Sequence, residues 1–424
     1  NAKTDRCEVC PFFFILLLMS LKILVNSLSG GGAELQAAQL ARDLKAELFI
    51  LDKSFSARTS SVADFKILEG KPSFLPSKAG LLFIKRYAKE LAAKVNKNDI
   101  VLSFMPKSNF VNAAASELSG HKAVLGEITQ PSREYSGIRG KIMQPLIKKY
   151  YRKAALIIAN SQGNALDLKK NFDINPEKIK VIYNSCDISA IRNAANAPLP
   201  KEYEKVFEKT VIITAGRLTK AKGQWHLLKI FAEIKKELPE AKLIILGDGN
   251  LKRKLRTLAA KLGLNAHDGR KMPNAEKDDV FFAGFQKNPF CFLRKAKIFI
   301  FPSLWEGLPN AVIEALAAGI PVMAADCASG PREILAPETD FSMRTEKPEE
   351  HTAGMLLPPF DANADDFYMP VSDLEKTWAA EAVKLLKDEK MLIASKVAGM
   401  LRAADFDSGK QILLWKNELS KLTR

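Results

Sequence analysis

The sequence predicts an α/β protein of two halves, each a doubly wound parallel sheet, and three observations carry that expectation. Short apolar runs alternate with helical patterns along the whole chain, the order that parallel sheets of βα units require. The runs fall into two sets separated by a polar, proline-containing stretch, ISAIRNAANAPLPKEYEK (188–205). With 424 residues and 47% hydrophobic content, the chain is long enough to bury more than one large core.

In the first half the strand-like runs are LKILVNSL (21–28), ELFILD (47–52), DIVLSF (99–104), KAVLGE (122–127), ALIIAN (155–160) and IKVIY (179–183). In the second half they are TVIITAG (210–216), AKLIILG (241–247), VFFAG (280–284), KIFIFPS (297–303) and IPVMAAD (320–326). They are short and almost wholly apolar, as strands covered on both faces are. Three polar stretches, 265–278, 337–354 and 359–370, read as surface insertions. SGKQILLWKNELSKL (408–422) has helical spacing and is expected to pack back on the first domain.

The apolar run at 11–19 is shorter than the ~20 residues a spanning helix needs, and no small-residue cleavage site follows it. Residues 1–18 are expected to lie outside the folded unit, since Met19 offers a natural start. The expected domains are therefore 19–190 and 191–405, with 406–424 as the returning helix. Ligands of open parallel sheets bind beyond the carboxyl ends of the strands, so two such domains facing each other would share a central cleft.

Charge is uneven. Residues 1–200 hold 29 Lys/Arg against 17 Asp/Glu, and residues 201–424 hold 35 against 31, so +12 of the net +16 lies in the first half. That imbalance fits an anionic partner, nucleic acid or an anionic membrane face, or else a solvated basic surface. GLLFIKRYAKELAAK (80–94) and KIMQPLIKKYYRK (141–153) interleave cations with Phe, Ile, Leu and Tyr, which suits a helix in a lipid interface better than a groove tracking phosphates. No nucleic-acid module is recognisable. Five scattered cysteines (Cys7, Cys10, Cys186, Cys291, Cys327) argue against a disulfide framework and for a reducing compartment, and Cys7-x-x-Cys10 has no second pair to complete a zinc site.

Chemistry concentrates at three strand ends. Strand 21–28 runs into Ser29-Gly30-Gly31-Gly32-Ala33-Glu34 and a helical pattern, a turn that lets backbone approach an anion closely. After 210–216 comes Gly216-Arg217-Leu218-Thr219-Lys220-Ala221-Lys222-Gly223, where Arg217 and Lys222 could clamp a diphosphate. After 297–303 comes Glu306-Gly307-Leu308-Pro309-Asn310-Ala311, leading into AVIEALAAG. Pro309 suits the start of that helix, amides near Asn310 and Ala311 could hold a phosphate at its positive end, and Glu314 lies about one turn inside. Taken singly, Glu314 reads equally as a dipole-stabilising glutamate, Glu306 as a capping residue, and the cations as solvated.

Together these motifs resemble the GT-B glycosyltransferases, specifically the retaining group called family 4, over roughly residues 20–420. The marks are Gly30-Gly31-Gly32, Gly216-Arg217-Leu218 with Lys222-Gly223, and Glu306 followed eight residues later by Glu314. The resemblance implies that Arg217 and Lys222 neutralise the donor diphosphate without a metal. It gives Glu306 the donor sugar and its oxocarbenium-like transition state, and Glu314 the ribose. Gly31, Gly32, Leu308, Pro309, Asn310 and Ala311 complete the donor contacts. No cofactor is implied, the nucleotide-diphosphate sugar being a substrate. Relatives carry a histidine near the sugar after the strand equivalent to 122–127; here that region reads Gly126-Glu127-Ile128-Thr129, leaving Glu127 and Thr129 as acceptor-side candidates and His121 as a surface or turn residue.

The runs 126–135, 156–188 and 284–310 resemble the bacterial transferases that add N-acetylgalactosamine to undecaprenyl-diphosphate-linked oligosaccharides. The resemblance therefore implies a UDP-hexosamine donor, a lipid-linked acceptor and a cytoplasmic enzyme peripheral on the inner membrane face. The same chemistry with GDP-mannose and a lipopolysaccharide or capsule acceptor remains open. So do a sugar-nucleotide epimerase and a non-catalytic binder of nucleotide or nucleic acid.

Overall fold

The computed structural model describes residues 20–29, 31–55, 62–69, 82–267, 272–362 and 366–423. The run at 11–19, Cys7 and Cys10, and Gly30 lie outside them. The chain forms two compact units, one reaching to Ser185 and resuming at Gly409, the other spanning Cys186–Ser408.

The first unit is a seven-stranded sheet of β1 (Leu21–Val25), β2 (Glu47–Ile50), β3 (Phe65–Ile67), β4 (Ile100–Phe104), β5 (Lys122–Glu127), β6 (Leu156–Ala159) and β7 (Ile179–Val181). Its order is β3-β2-β1-β4-β5-β6-β7 and every pair is parallel. The chain winds outward from β1 to β3 on one side and from β4 to β7 on the other, so the direction of winding switches between β1 and β4. Apolar clusters cover both faces, one with Leu24, Val101 and Leu125, the other with Ile23, Leu102 and Val124. The helix Ser408–Lys421 joins the second cluster through Trp415, whose ring meets Phe104 edge-on at 6.1 Å.

The second unit contains β8 (Val211–Ala215), β9 (Lys242–Leu246), β10 (Ala266–His267), β11 (Val280–Gly284), β12 (Ile298–Phe301), β13 (Val322–Ala325), β14 (Glu349–His351) and β15 (Gly354–Leu357). The order is β10-β11-β9-β8-β12-β13-β15-β14, parallel except for the edge pair β14/β15. Here the winding switches between β8 and β12. Both sheets are the doubly wound, Rossmann-like kind that the alternating pattern predicts.

Three expectations need correction. The polar stretches read as surface insertions carry structure of their own: 265–278 supplies the edge strand β10, and 337–354 supplies the edge strand β14, whose Glu349 pairs with Arg332 at 2.9 Å. The third, 359–370, is bonded inward. Phe360 stacks on the His226 ring at 3.8 Å, Trp225 Nε1 donates to Asp366 Oδ1 at 2.9 Å, and Lys229 Nζ donates to the Asp366 carbonyl at 2.7 Å. Second, the helix Ile84–Ala92 within 80–94 is not free to lie in a lipid interface. Its apolar face, Ile84, Tyr87, Ala88 and Leu91, is buried in the core, and the Tyr87 hydroxyl donates to the Leu51 carbonyl at 2.9 Å. Third, His121 lies in the turn between the helix Pro106–Ser119 and β5, as one of the two alternatives had it, but not at the surface. It is 3% exposed, its ring nitrogens meet Asn112 Oδ1 at 2.8 Å and Ser119 Oγ at 2.6 Å, and burial lowers its pKa to about 4.

Candidate active site

The Arg217–Lys222 loop leaves the carboxyl end of β8 and the Glu306–Ala311 segment follows β12, so the two motifs flank the switch point of the second sheet. That is where open α/β sheets bind ligands. Backbone contacts hold the loops together. Leu304 N donates to the Ala221 carbonyl at 2.8 Å. Gly223, at φ +60, lies so close to β12's exit that a Cβ there would stand 2.3 Å from the Pro302 carbonyl. Across these loops Lys222 Nζ meets Glu306 Oε1 at 2.5 Å, and the ammonium also lies 5.2 Å from the centre of the Phe301 ring. The side chains are 22% and 10% exposed, so the structure brings the loop cation and the first glutamate of the pattern together as a part-buried ion pair.

Arg217 is exposed, while its carbonyl accepts from Gln224 Nε2 at 3.0 Å. Leu308 and Pro309 are buried, and Pro309 caps the helix Asn310–Ala318, which Asn310 and Ala311 open. Glu314 is half-buried in that helix, and its charge adds to burial in pushing the Cys186 thiol up. Burial, then the charge of Glu306, pushes the Cys327 thiol up to about 12.

Two supports of this site went unread in the sequence. Gly247, just past β9, has no room for a Cβ, which would stand 2.1 Å from the Gly216 carbonyl, and Leu218 N donates to the Asp248 carbonyl at 2.9 Å. The G-D-G run at the end of a strand was the available signal. Ser329 Oγ donates to the Gly307 carbonyl at 2.9 Å, a contact that no local pattern announces.

In the first unit the glycine turn follows β1, on one side of that sheet's switch point. Gly31 has φ −71 and ψ 158, an extended backbone any residue adopts, and a Cβ on Gly32 would meet nothing within 4 Å. Gly31 is the N-cap of the helix Gly32–Asp43, a position that glycine suits, and no backbone strain or crowding calls for glycine at position 32. Glu127 ends β5 but is 1% exposed. Its Oε2 accepts from Tyr151 Oη at 2.7 Å, and its Oε1 from the Ile128 and Thr129 amides at 3.0 Å and Thr129 Oγ1 at 3.1 Å. Burial raises its pKa to about 7 against those hydrogen bonds. Both acceptor-side candidates are thus engaged with each other, and Glu127 works as the anchor of the 128–130 turn.

Comparison with known proteins agrees with this geometry. Residues 30–190 match the family model described as Glycosyltransferase Family 4, and residues 197–351 match Glycosyl transferases group 1. The chain is 39% identical over 300 residues to an uncharacterized glycosyltransferase of Methanocaldococcus jannaschii, covering 70% of this chain and 71% of that protein. It is 30% identical over 352 residues to the N-acetylgalactosamine-N,N'-diacetylbacillosaminyl-diphospho-undecaprenol 4-alpha-N-acetylgalactosaminyltransferase of Campylobacter jejuni, covering 79% and 88% respectively. Among solved structures, Anabaena HepE in complex with UDP superposes with a TM-score of 0.71 at 21% identity, over 95% of this chain and all of that one, a likeness of fold. The chain belongs to the family 4 glycosyltransferases and has their GT-B fold.

Proposed function

We propose that this glycosyltransferase moves a hexosamine, N-acetylgalactosamine, from a UDP-sugar to a lipid-linked oligosaccharide, with retention of anomeric configuration, at the cytoplasmic face of the membrane. The observation that carries the reading is the Lys222–Glu306 pair at the switch point of the second sheet, with the exposed cation Arg217 on the same loop. As the sugar–phosphate bond breaks, charge develops on the departing diphosphate. Arg217 and Lys222 stabilise it electrostatically, in the place a metal takes in other transferases. Glu306 is released from Lys222 to the sugar and favours its developing positive charge. Glu314 takes the ribose hydroxyls, Leu308, Pro309, Asn310 and Ala311 line the donor, and Gly31 and Gly32 are assigned to the diphosphate. The leaving phosphate serves as base for attack on the same face, so no glycosidase-type nucleophile is needed.

The sugar and acceptor come from the relative in Campylobacter jejuni, whose name specifies N-acetylgalactosamine and an undecaprenyl-diphosphate acceptor. An acceptor of that kind keeps the enzyme at a membrane. No helix among the described residues is long and apolar enough to cross one, so peripheral binding is the mode proposed. The helix Gly137–Tyr151 suits it: Met143, Ile147 and Tyr151 are buried, while Ile138 and Ile142 are exposed among Arg139, Lys141, Lys148 and Lys149.

The test is nucleotide release from a panel of nucleotide sugars, with and without membrane lipid extract. Acceptor-dependent release of UDP from UDP-N-acetylgalactosamine alone is the expected result. Release from GDP-mannose instead refutes the donor assignment, and release of free epimer without acceptor refutes the transferase reading of the site.

A further inference from the structure

Glu34 is a buried carboxylate that none of the roles above uses. It is 3% exposed, in the first turn of the helix Gly32–Asp43, and it gathers donors from both arms of the glycine turn. Ser27 Oγ donates to Oε1, Ser29 Oγ reaches both oxygens at 3.0 and 3.1 Å, and Gly31 N donates to Oε2 at 2.8 Å. A carboxylate withdrawn from water needs such compensation, and the positive end of a helix adds to it. One side chain therefore ties the exit of β1 to the start of the helix across the turn.

The tie matters because of what it holds. Gly31 and Gly32 have no positive φ, and a Cβ would meet nothing within 4 Å at Gly32 and only the Glu34 carboxylate, at 3.4 Å, at Gly31, so apart from Glu34 neither strain nor packing fixes the turn. Glycines lose more conformational freedom on ordering than any other residue. If a ligand had to order this turn itself, that cost would come out of its affinity. Glu34 meets the cost in advance.

We infer that Glu34 is a positioning residue for the donor: it preorganises the Gly31–Gly32 turn for the diphosphate without touching it. The inference rests on the proposed reading of that turn as a diphosphate contact. Glu34→Gln keeps the shape of the side chain but replaces one acceptor oxygen with a donor group, which sets it against Gly31 N or the serine hydroxyls. Ser29→Ala removes a single arm.

The experiment measures binding of UDP by calorimetry and of uridine by ligand-observed NMR to wild type, Glu34→Gln and Ser29→Ala, each checked for folding by thermal melt. Glu34→Gln is expected to weaken UDP about tenfold and Ser29→Ala about threefold, with uridine unchanged in both. UDP bound equally by wild type and a folded Glu34→Gln overturns the inference. So does an equal loss of UDP and uridine, which marks a general structural role. If Glu34→Gln does not fold, Ser29→Ala decides: unchanged UDP affinity overturns the inference. A wild type that binds neither UDP nor GDP overturns the functional reading itself, a result distinct from the others.

Discussion

Gly32→Ala separates what the fold needs from what the ligand needs. A Cβ at this position would meet nothing within 4 Å, Gly32 is the first residue of its helix, and its φ is not positive. For the folded protein alone the change is therefore harmless. Alanine is a better helix former than glycine by up to about 1 kcal/mol, and less in the first turn. On a domain of this size that is a rise in Tm of at most a few degrees, about 2–4 °C. For the ligand the methyl occupies the space the glycine left open. If a diphosphate approaches the backbone there, it is displaced by about 1 Å, a misplacement that costs on the order of a hundredfold in rate. Thermal melts, calorimetry with UDP and turnover on the preferred nucleotide sugar read the three quantities from one preparation. The expected pattern is an equal or higher Tm, UDP weakened about tenfold or more, and turnover down about a hundredfold. Wild-type affinity and turnover at an unchanged Tm would refute the claim that the open space belongs to a ligand.

Three other perturbations follow from the site. Glu306→Ala is expected to lower turnover about a hundredfold while changing donor affinity less than about threefold, because its role lies in the transition state; weakened binding at unchanged turnover, read from steady-state kinetics, contradicts that role. Glu127 holds its proton up to about pH 7 when folded, whereas the unfolded chain releases it near its ordinary value of about 4.3. The stability this contributes is full below that ordinary value and is lost as pH rises through about 7, so melts from pH 4 to 8 should show Glu127→Gln gaining on wild type by up to about 3 kcal/mol, and a constant gap rejects the titration. Ile138→Ser with Ile142→Ser should weaken sedimentation with anionic liposomes at an unchanged Tm, and equal sedimentation returns that helix face to ordinary surface.

The strands that were legible are those whose residues are apolar on both faces, such as IVLSF in β4 and KLIIL in β9, because burial on two sides leaves a continuous run in the sequence. The strands that were not legible are short or sit at edges. β14 is Glu-Glu-His, and its composition is that of a loop because its outer side faces solvent. β3 has three residues with an exposed lysine at its centre, and β10 has two. The stretch 359–370 looked like a solvated insertion because Asp and Asn read as polar wherever they stand. What fixes it is the meeting of Phe360 and Asp366 with His226, Trp225 and Lys229, more than a hundred residues away in sequence. The lipid-facing reading of 80–94 failed for a related reason: an amphipathic helix shows that it has an apolar face, not what that face meets.

The site divides along the same line. Arg217, Lys222, Glu306 and Glu314 were legible as candidates because each lies in or just past a short motif at the end of a recognisable strand, and a switch point places such strand ends side by side. The residues that brace their loops, Gly247, Gln224 and Ser329, and Glu34 at the glycine turn, act through contacts that exist only once the chain has folded. Even so, their chemistry differs between the units in an instructive way. In the second unit the loops are braced by backbone contacts and carry an exposed cation, Arg217, beside Lys222, which is paired with Glu306. At the matching place in the first unit the cation after β4, Lys107, is committed to Asp52, and the glycine turn closes on a carboxylate of its own. On the proposed roles, the loss of UDP affinity from substituting Arg217 and Lys222 should shrink as salt rises, whereas the loss from Gly32→Ala should not depend on salt; equal salt dependence of the two losses in calorimetry would refute the electrostatic role of the cations.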